Sequence, residues 1–275
     1  MAVIEFQKVT KAYGDEGDVL KGLDLTVEKG EFLTLLGESG CGKTTLLKII
    51  NRMVSFDTGH VWIRGRLLSE WDIVTLRREI GYVIQQIGLF PHMTVMNNVA
   101  YVLSLQGIQK PKQRQRAEEL MELVGLPWEF LNRYPRELSG GQRQRVGVAR
   151  ALAASPEIIL MDEPFGAVDE QTRSLLQDEL LKIHQQLKCT IIFVTHDIQE
   201  AVKLGSRIVL MNKGIIEQTG TKEDLILRPA NDFVRRFMGI KGFMALLDEK
   251  EMKALYQQVL EEKISLEEVY RSLTG

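Results

Sequence analysis

Disulfides, a surplus of basic charge and long apolar runs are all missing from this sequence. The two cysteines, Cys41 and Cys189, are too few for a disulfide framework, and Cys41 lies inside a glycine-rich loop where a structural bridge has no place. A reducing cytosol fits that usage. Histidines are scarce, and His60, His92 and His184 lack metal-ligand spacing. Basic and acidic side chains number 35 and 37, and the net charge of −2 argues against nucleic acid as a main partner, because such binding needs a basic footprint. No window approaches the roughly 20 apolar residues of a membrane span, and the start MAVIEFQKVTKAYGDEGD does not have the shape of a signal peptide. The expectation is a soluble chain that meets a membrane only through a partner.

What is present is enough apolar material for a full core. Hydrophobic residues make up 44% of the 275, which suits one large domain with a small appendage. Runs rich in β-branched residues read as strands at 3–6, 31–36, 59–63, 80–84, 157–161, 190–194 and 207–211. EIILM and TIIFV are almost wholly apolar, as central strands of a parallel sheet covered on both faces are. Helical patterns lie between: TTLLKIINRM, QRAEELMELVGL, QRQRVGVARALAA and QTRSLLQDELLKIHQQL. The alternation predicts an α/β domain over residues 1–240. From about 86 to 150 the pattern is mostly helical, which predicts an inserted helical subdomain. The basic run KPKQRQR (110–116) reads as a solvated helix start. A boundary near GIKG (239–242) sets off a short helical tail, 241–275, whose five basic and seven acidic residues carry the whole net charge. Met252, Leu255, Val259 and Leu260 fall on one helical face there, expected to dock on the chain's own body. Ser265 with Glu268 makes a capping box.

Two loops are suited to phosphate. The first, GESGCGKTT, comprises Gly37, Glu38, Ser39, Gly40, Cys41, Gly42, Lys43, Thr44 and Thr45. It follows a strand and opens a helix, the context a phosphate loop demands. Its backbone N–H groups wrap a β-phosphate, Lys43 reaches the β/γ-phosphates, and the Thr44 hydroxyl suits Mg²⁺. EIILMDEP ends a buried strand in Asp162, a metal-holding carboxylate, and Glu163, placed to polarise an attacking water. His196 lies just past another strand end, where open α/β sheets bind ligands. Gln85, at the end of IGYVI, offers an amide to the metal or the water. The second loop, Leu138 to Gln142 (LSGGQ), puts the Ser139 hydroxyl and the N–H groups of Gly140 and Gly141 at a helix N-terminus, again suited to an anion.

These motifs occur together and in order, with a GAVD turn ending at Asp169, and in this the chain resembles the ABC-type ATPases from roughly Val3 to Phe237. The resemblance implies a P-loop NTPase fold of ABC type: a central, mainly parallel sheet, an antiparallel β subdomain and an inserted helical subdomain. It also implies why there are two loops. Two chains pair head to tail, and Ser139, Gly140, Gly141 and Gln142 of one close on the Mg²⁺-bound ATP held by the phosphate loop of the other. In that arrangement Tyr13 stacks on adenine, Asp169 links the two sites across the dimer, and Thr44, Gln85 and Asp162 hold the metal. Glu163 activates water, and His196 contacts the γ-phosphate. Val168 stands where the family usually has leucine, a mild departure that leaves the role of Asp169 intact.

The stretch between Gln85 and Leu138 is too short for the coiled coil of repair-type members. A single ATPase unit disfavours the translation type, and the absence of spans disfavours fused exporters. What remains is the ATPase subunit of a multi-chain importer, at the cytoplasmic face of the membrane, working with an integral-membrane permease and indirectly with a substrate-binding protein. GLFPHMTV resembles the importer surface that accepts a permease coupling helix. With INRM and LRREIGYVIQQ it resembles the ATPases of osmoprotectant importers, which carry glycine betaine, choline or carnitine. The tail is too short for the paired CBS domains that many of these append, so none is expected. An importer of amino acids or other small solutes, a non-transport ATPase with soluble partners, and a P-loop kinase are the alternative readings.

Overall fold

The computed structural model describes residues 1–14, 17–85, 88–166, 168–246, 257, 261 and 265. The apolar runs assemble into two sheets. Strands β1 (Ala2–Ala12), β2 (Asp18–Glu28), β4 (Thr58–Ile63) and β5 (Arg66–Leu67) form an antiparallel sheet in the order β2-β1-β4-β5. Strands β3 (Phe32–Gly37), β6 (Ile80–Val83), β7 (Ile158–Asp162), β8 (Thr190–Thr195), β9 (Arg207–Asn212) and β10 (Ile215–Gly220) form the second, in the order β10-β9-β3-β8-β7-β6. All its neighbours are parallel except β10, which returns antiparallel along β9.

Every residue of β3, β7 and β8 is buried, the pattern expected where both faces are covered. Alternation divides those residues between two cores. Phe32, Ile159, Met161, Ile191 and Phe193 pack with the helical side, whereas Leu33, Leu35, Leu160, Ile192 and Val194 pack with the antiparallel sheet and helix α1 (Lys43–Ile50). The helical insertion consists of α3 (Val95–Val99), α4 (Tyr101–Leu105), α5 (Lys110–Leu123) and α6 (Gly140–Leu152), placed between β6 and β7. KPKQRQR does open α5, with Pro111 in its first turn and ion pairs from Arg114 to Glu118 (2.9 Å) and Arg116 to Glu119 (3.2 Å).

Three strands lie outside the runs read from the sequence. In β2 the buried Leu23, Leu25 and Val27 do alternate, but Gly22 at φ 72° sits between them and the buried Leu20, so the period is interrupted. β5 has only two residues, and β10 is a half-exposed edge with no apolar alternation. Among the described residues, five further α-helices complete the body: α2 (Ile73–Glu79), α7 (Glu170–Leu187), α8 (Ile198–Leu204), α9 (Lys222–Leu227) and α10 (Asp232–Leu246). Gly239 (φ 44°, ψ −150°) kinks α10, but Ala245 and Leu246 still pack against the core around α8 and α9. The body thus continues past residue 240. Met252, Leu255, Val259, Leu260 and Glu268 lie outside the described residues. No helix among the described residues is long and apolar enough to cross a membrane.

Candidate functional site

Strand register gathers the proposed residues at one end of the large sheet. Leu36 pairs with Thr195, Gly37 with Met211, Val83 with Met161 and Asp162 with Val194. The chain leaves four neighbouring strand ends there and delivers the phosphate loop, Gln85, Asp162–Glu163 and His196 to one edge.

The phosphate loop needs its glycines for space. A Cβ at Gly37 would stand 2.3 Å from the Met211 carbonyl oxygen and 2.8 Å from Cys41 Sγ. At Gly42, where φ is 107°, it would stand 2.9 Å from the Val19 carbonyl oxygen. Gly37→Ala is expected to lower the melting temperature and cut ATP binding together, because β3 must separate from β9 to admit the methyl. Calorimetry with and without ATP checks this, and an unchanged melting temperature contradicts it.

Lys43 is 4% exposed, and its ammonium spans the loop, donating to the Gly37 and Glu38 carbonyls at 2.7 Å each. Its Nζ also lies 3.7 Å from Cys41 Sγ. Burial pushes the Cys41 thiol above its ordinary range, against the pull of Lys43. Alkylation of Cys41 is therefore expected to be slow near neutrality. Its rate should rise about tenfold per pH unit until the raised pKa is reached. The modified protein should lose ATP hydrolysis. Mass spectrometry of Cys41 across pH, paired with activity, checks both statements. Reaction as fast as a free cysteine, or modified protein at full rate, contradicts them. Tyr13 is 40% exposed at the loop's flank, with Lys11 Nζ 5.4 Å from its ring centroid and its hydroxyl 3.5 Å from Thr45 Oγ1.

The carboxylate pair divides into two environments. Asp162 is buried, and its Oδ1 accepts the Thr44 hydroxyl at 2.8 Å. Burial pushes its carboxyl upward, and the Thr44 hydrogen bond opposes that. Lys43 and Lys48 act on it as well, and a buried carboxylate beside a hydroxyl is an oxygen pair that fits Mg²⁺, whose charge would relieve the desolvation. Glu163 lies beyond the strand at φ 44°, with its N–H donating to the Val194 carbonyl at 3.0 Å. Past this left-handed turn the Glu163 carboxylate has partners of its own, although its charge still raises Asp162. Glu163 Oε2 then meets two residues at once: Gln85 Nε2 donates to it at 3.3 Å, and His196 Nδ1 lies 3.2 Å away. No spacing along the chain announces that one oxygen collects both.

The structure keeps the second loop separate. Ser139 caps α6, its Oγ accepting the Gln142 N–H at 3.3 Å while Gln142 Oε1 accepts the Ser139 N–H at 2.9 Å. The serine hydroxyl retains its own proton for an outside acceptor. Gly140 and Gly141 follow, and a Cβ on Gly141 would meet Thr172 Cγ2 at 2.7 Å. Among the described residues no hydrogen bond joins residues 139–142 to residues 37–45. Asp169 caps α7 through the Thr172 N–H at 3.0 Å, which holds its carboxyl below the ordinary range.

Two organising residues escaped the sequence reading. Tyr82, inside the IGYVI run, has its phenol pushed up to about 12 by burial and then by the Asp162 charge. Asn98 is fully buried and stitches the GLFPHMTV loop, accepting from Phe90 N at 2.7 Å and donating to the carbonyls of Phe90, Met93 and Thr94.

A family model described as "ABC transporter" matches residues 20–166. The chain is 50% identical over 237 residues to the glycine betaine/carnitine/choline transport ATP-binding protein OpuCA of Bacillus subtilis, covering 86% of this chain and 62% of that one. It is 49% identical over 237 residues to the glycine betaine uptake system ATP-binding protein YehX of Escherichia coli, covering 86% and 77%. The chain thus spans less than two thirds of OpuCA's length. A solved dimeric ATP-binding cassette, in a post-hydrolysis state with ADP and Pi, superposes with a TM-score of 0.71 at 36% identity, covering 79% of this chain and 98% of that one.

Proposed function

The chain belongs to the ABC transporter ATP-binding family, and from that premise we propose that it is the ATP-hydrolysing subunit of a multi-chain importer of quaternary-amine osmoprotectants. The observation that carries the hydrolytic part is the convergence of Gln85 and His196 on Glu163 Oε2, at the strand ends that also present the phosphate loop and Asp162. The cargo rests on likeness to transport proteins for glycine betaine, carnitine and choline.

In this reading the phosphate loop, residues 37–45, wraps the β-phosphate with backbone N–H groups, and Lys43 exchanges the Gly37 and Glu38 carbonyls for phosphate oxygens. Tyr13 stacks on the adenine. Thr44, Asp162 and Gln85 would hold Mg²⁺, which when bound screens the phosphate charge. A second copy of the chain supplies Ser139, Gly140, Gly141 and Gln142 to the γ-phosphate, so ATP lies between the two chains and draws them together. Glu163 takes a proton from the attacking water as the water's oxygen bonds to the γ-phosphorus and the bond to ADP breaks. Gln85 and His196 orient that carboxylate, and His196 faces the γ-phosphate. Asp169 connects the two sites across the pair. Closing carries the helical insertion with it, and the loop braced by Asn98 passes that motion to a membrane permease on the cytoplasmic face.

The test of the load is co-purification from gently solubilised membranes of the native host. A multi-span permease with a binding protein that takes up quaternary amines is expected. A permease accompanied by a binding protein for another solute contradicts the cargo, and a set of soluble partners alone contradicts transport.

A further inference from the structure

Arg173 stands in the first turn of α7 and belongs to none of the motifs above. Its Nη2 donates to the Val168 carbonyl, just before Asp169, at 2.9 Å. Its Nη1 faces Asp197 Oδ2 at 3.7 Å, and its Nε faces Glu200 Oε1 at 4.0 Å. Asp197 follows His196 directly and caps α8, its Oδ1 accepting the Gln199 N–H at 2.8 Å. Glu200 is 6% exposed and accepts the Thr195 hydroxyl at 2.6 Å, while that hydroxyl accepts the Asp197 N–H at 2.9 Å. Both chain neighbours of His196 are therefore tied to acids that face one guanidinium.

The geometry of that guanidinium is unfinished. Arg173 Nε is buried without a hydrogen-bond partner. Both ion-pair distances exceed the roughly 2.7–2.9 Å of a charge-assisted hydrogen bond. A shift of about one ångström in the Val168–Asp169 turn or in α8 turns two long contacts into a closed fork. The planar fork makes the linkage stiff, so movement at one end is felt at the other.

We propose that Arg173 is a positioning residue that couples the Val168–Asp169 turn to the His196 loop, so that docking of the second chain at Asp169 sets His196 for hydrolysis. This rests on the two-chain reading above.

The test is steady-state ATP hydrolysis by Arg173→Met, Arg173→Lys, Asp197→Asn and the Arg173→Met/Asp197→Asn pair. The Arg173→Met change is expected to lower kcat roughly 10- to 100-fold through misplacement of His196. The KM for ATP should stay within about twofold, the mark of an interaction felt only in the chemical step. Cooperativity in ATP should fall with kcat. The double variant should be no slower than the slower single one, because both break one link. Arg173→Lys should not restore the rate, since a point charge cannot span the Val168 carbonyl and Asp197 together. In a Glu163→Gln background, Arg173→Met should still form the ATP-dependent pair, which separates coupling from closure.

Wild-type kcat and cooperativity in a folded Arg173→Met overturn the inference. So does a loss shared equally by ATP binding and melting temperature, which marks a merely structural role, or additive losses in the double variant. Asp197→Asn reads the same link if Arg173→Met fails to fold. A wild-type chain that neither pairs nor hydrolyses ATP overturns the underlying reading instead, and the inference falls with it.

Discussion

Glu163→Gln is expected to stop ATP hydrolysis while leaving ATP bound. The loss should be about 10²–10⁴-fold in kcat, the usual worth of a positioned general base. The substitution is nearly isosteric, and its amide oxygen can still accept from Gln85 Nε2, which Glu163 Oε2 does now at 3.3 Å. What disappears is the negative charge and the basic site next to His196. The parts assigned to ATP itself are untouched, because the Thr44 hydroxyl bonds Asp162 rather than Glu163, and Lys43, the first residue of α1, donates to the Gly37 carbonyl. Removing a carboxylate from beside a triphosphate also reduces like-charge repulsion. ATP should therefore bind at least as well and persist. Phosphate release and nucleotide retention, measured on the same sample, check this. A variant that hydrolyses ATP at the normal rate contradicts the role given to Glu163.

Lys43→Ala is expected to fail at the earlier step. Lys43 is 4% exposed, and its ammonium lies across the loop proposed above to hold the β-phosphate. Truncating one partner of a desolvated charge pair typically costs about 2–5 kcal/mol, which is roughly thirtyfold to several thousandfold in affinity. The loss appears in the dissociation constant for ATP, measured by titration calorimetry, and hydrolysis falls only because the site is empty. The two variants thus fail in opposite ways. One binds without turning over, and the other does not bind at useful concentrations. ATP affinity within a few-fold of wild type in Lys43→Ala would remove the lysine from the phosphate site.

Much of this was legible in the sequence because the motifs are local. The phosphate loop needs a strand, a set of glycines and a helix within a few residues, and all are contiguous from Phe32 to Ile50. The buried strands EIILM and TIIFV are likewise visible as unbroken apolar runs, and the structure places both in the centre of the parallel sheet. Non-local features were not legible. Gln85, Glu163 and His196 come from three different strand ends, and only the sheet order β8-β7-β6 brings them to one oxygen. The left-handed turn at Glu163 was hidden too, since a glutamate carries no sign of positive φ. β10 was missed because an edge strand need not alternate, and β2 because Gly22 interrupts its period. The Arg173 contacts depend on α7 and α8 lying side by side, which no spacing in the sequence announces.

On the pairing proposed above, the second loop completes a phosphate site on another copy of the chain. Ser139→Asp is the sharpest change for testing it. Aspartate is as good a helix cap as serine, so α6 keeps its first turn, but the new negative charge faces the incoming γ-phosphate. The measurement is the molar mass in solution, by sedimentation, of Glu163→Gln and of Glu163→Gln with Ser139→Asp, each with and without Mg²⁺ and ATP. Both variants should weigh 31.3 kDa without nucleotide; with ATP the single variant should double and the double variant should not. A Glu163→Gln chain that stays single in ATP, or a pair that forms as readily with Asp at 139, would contradict it.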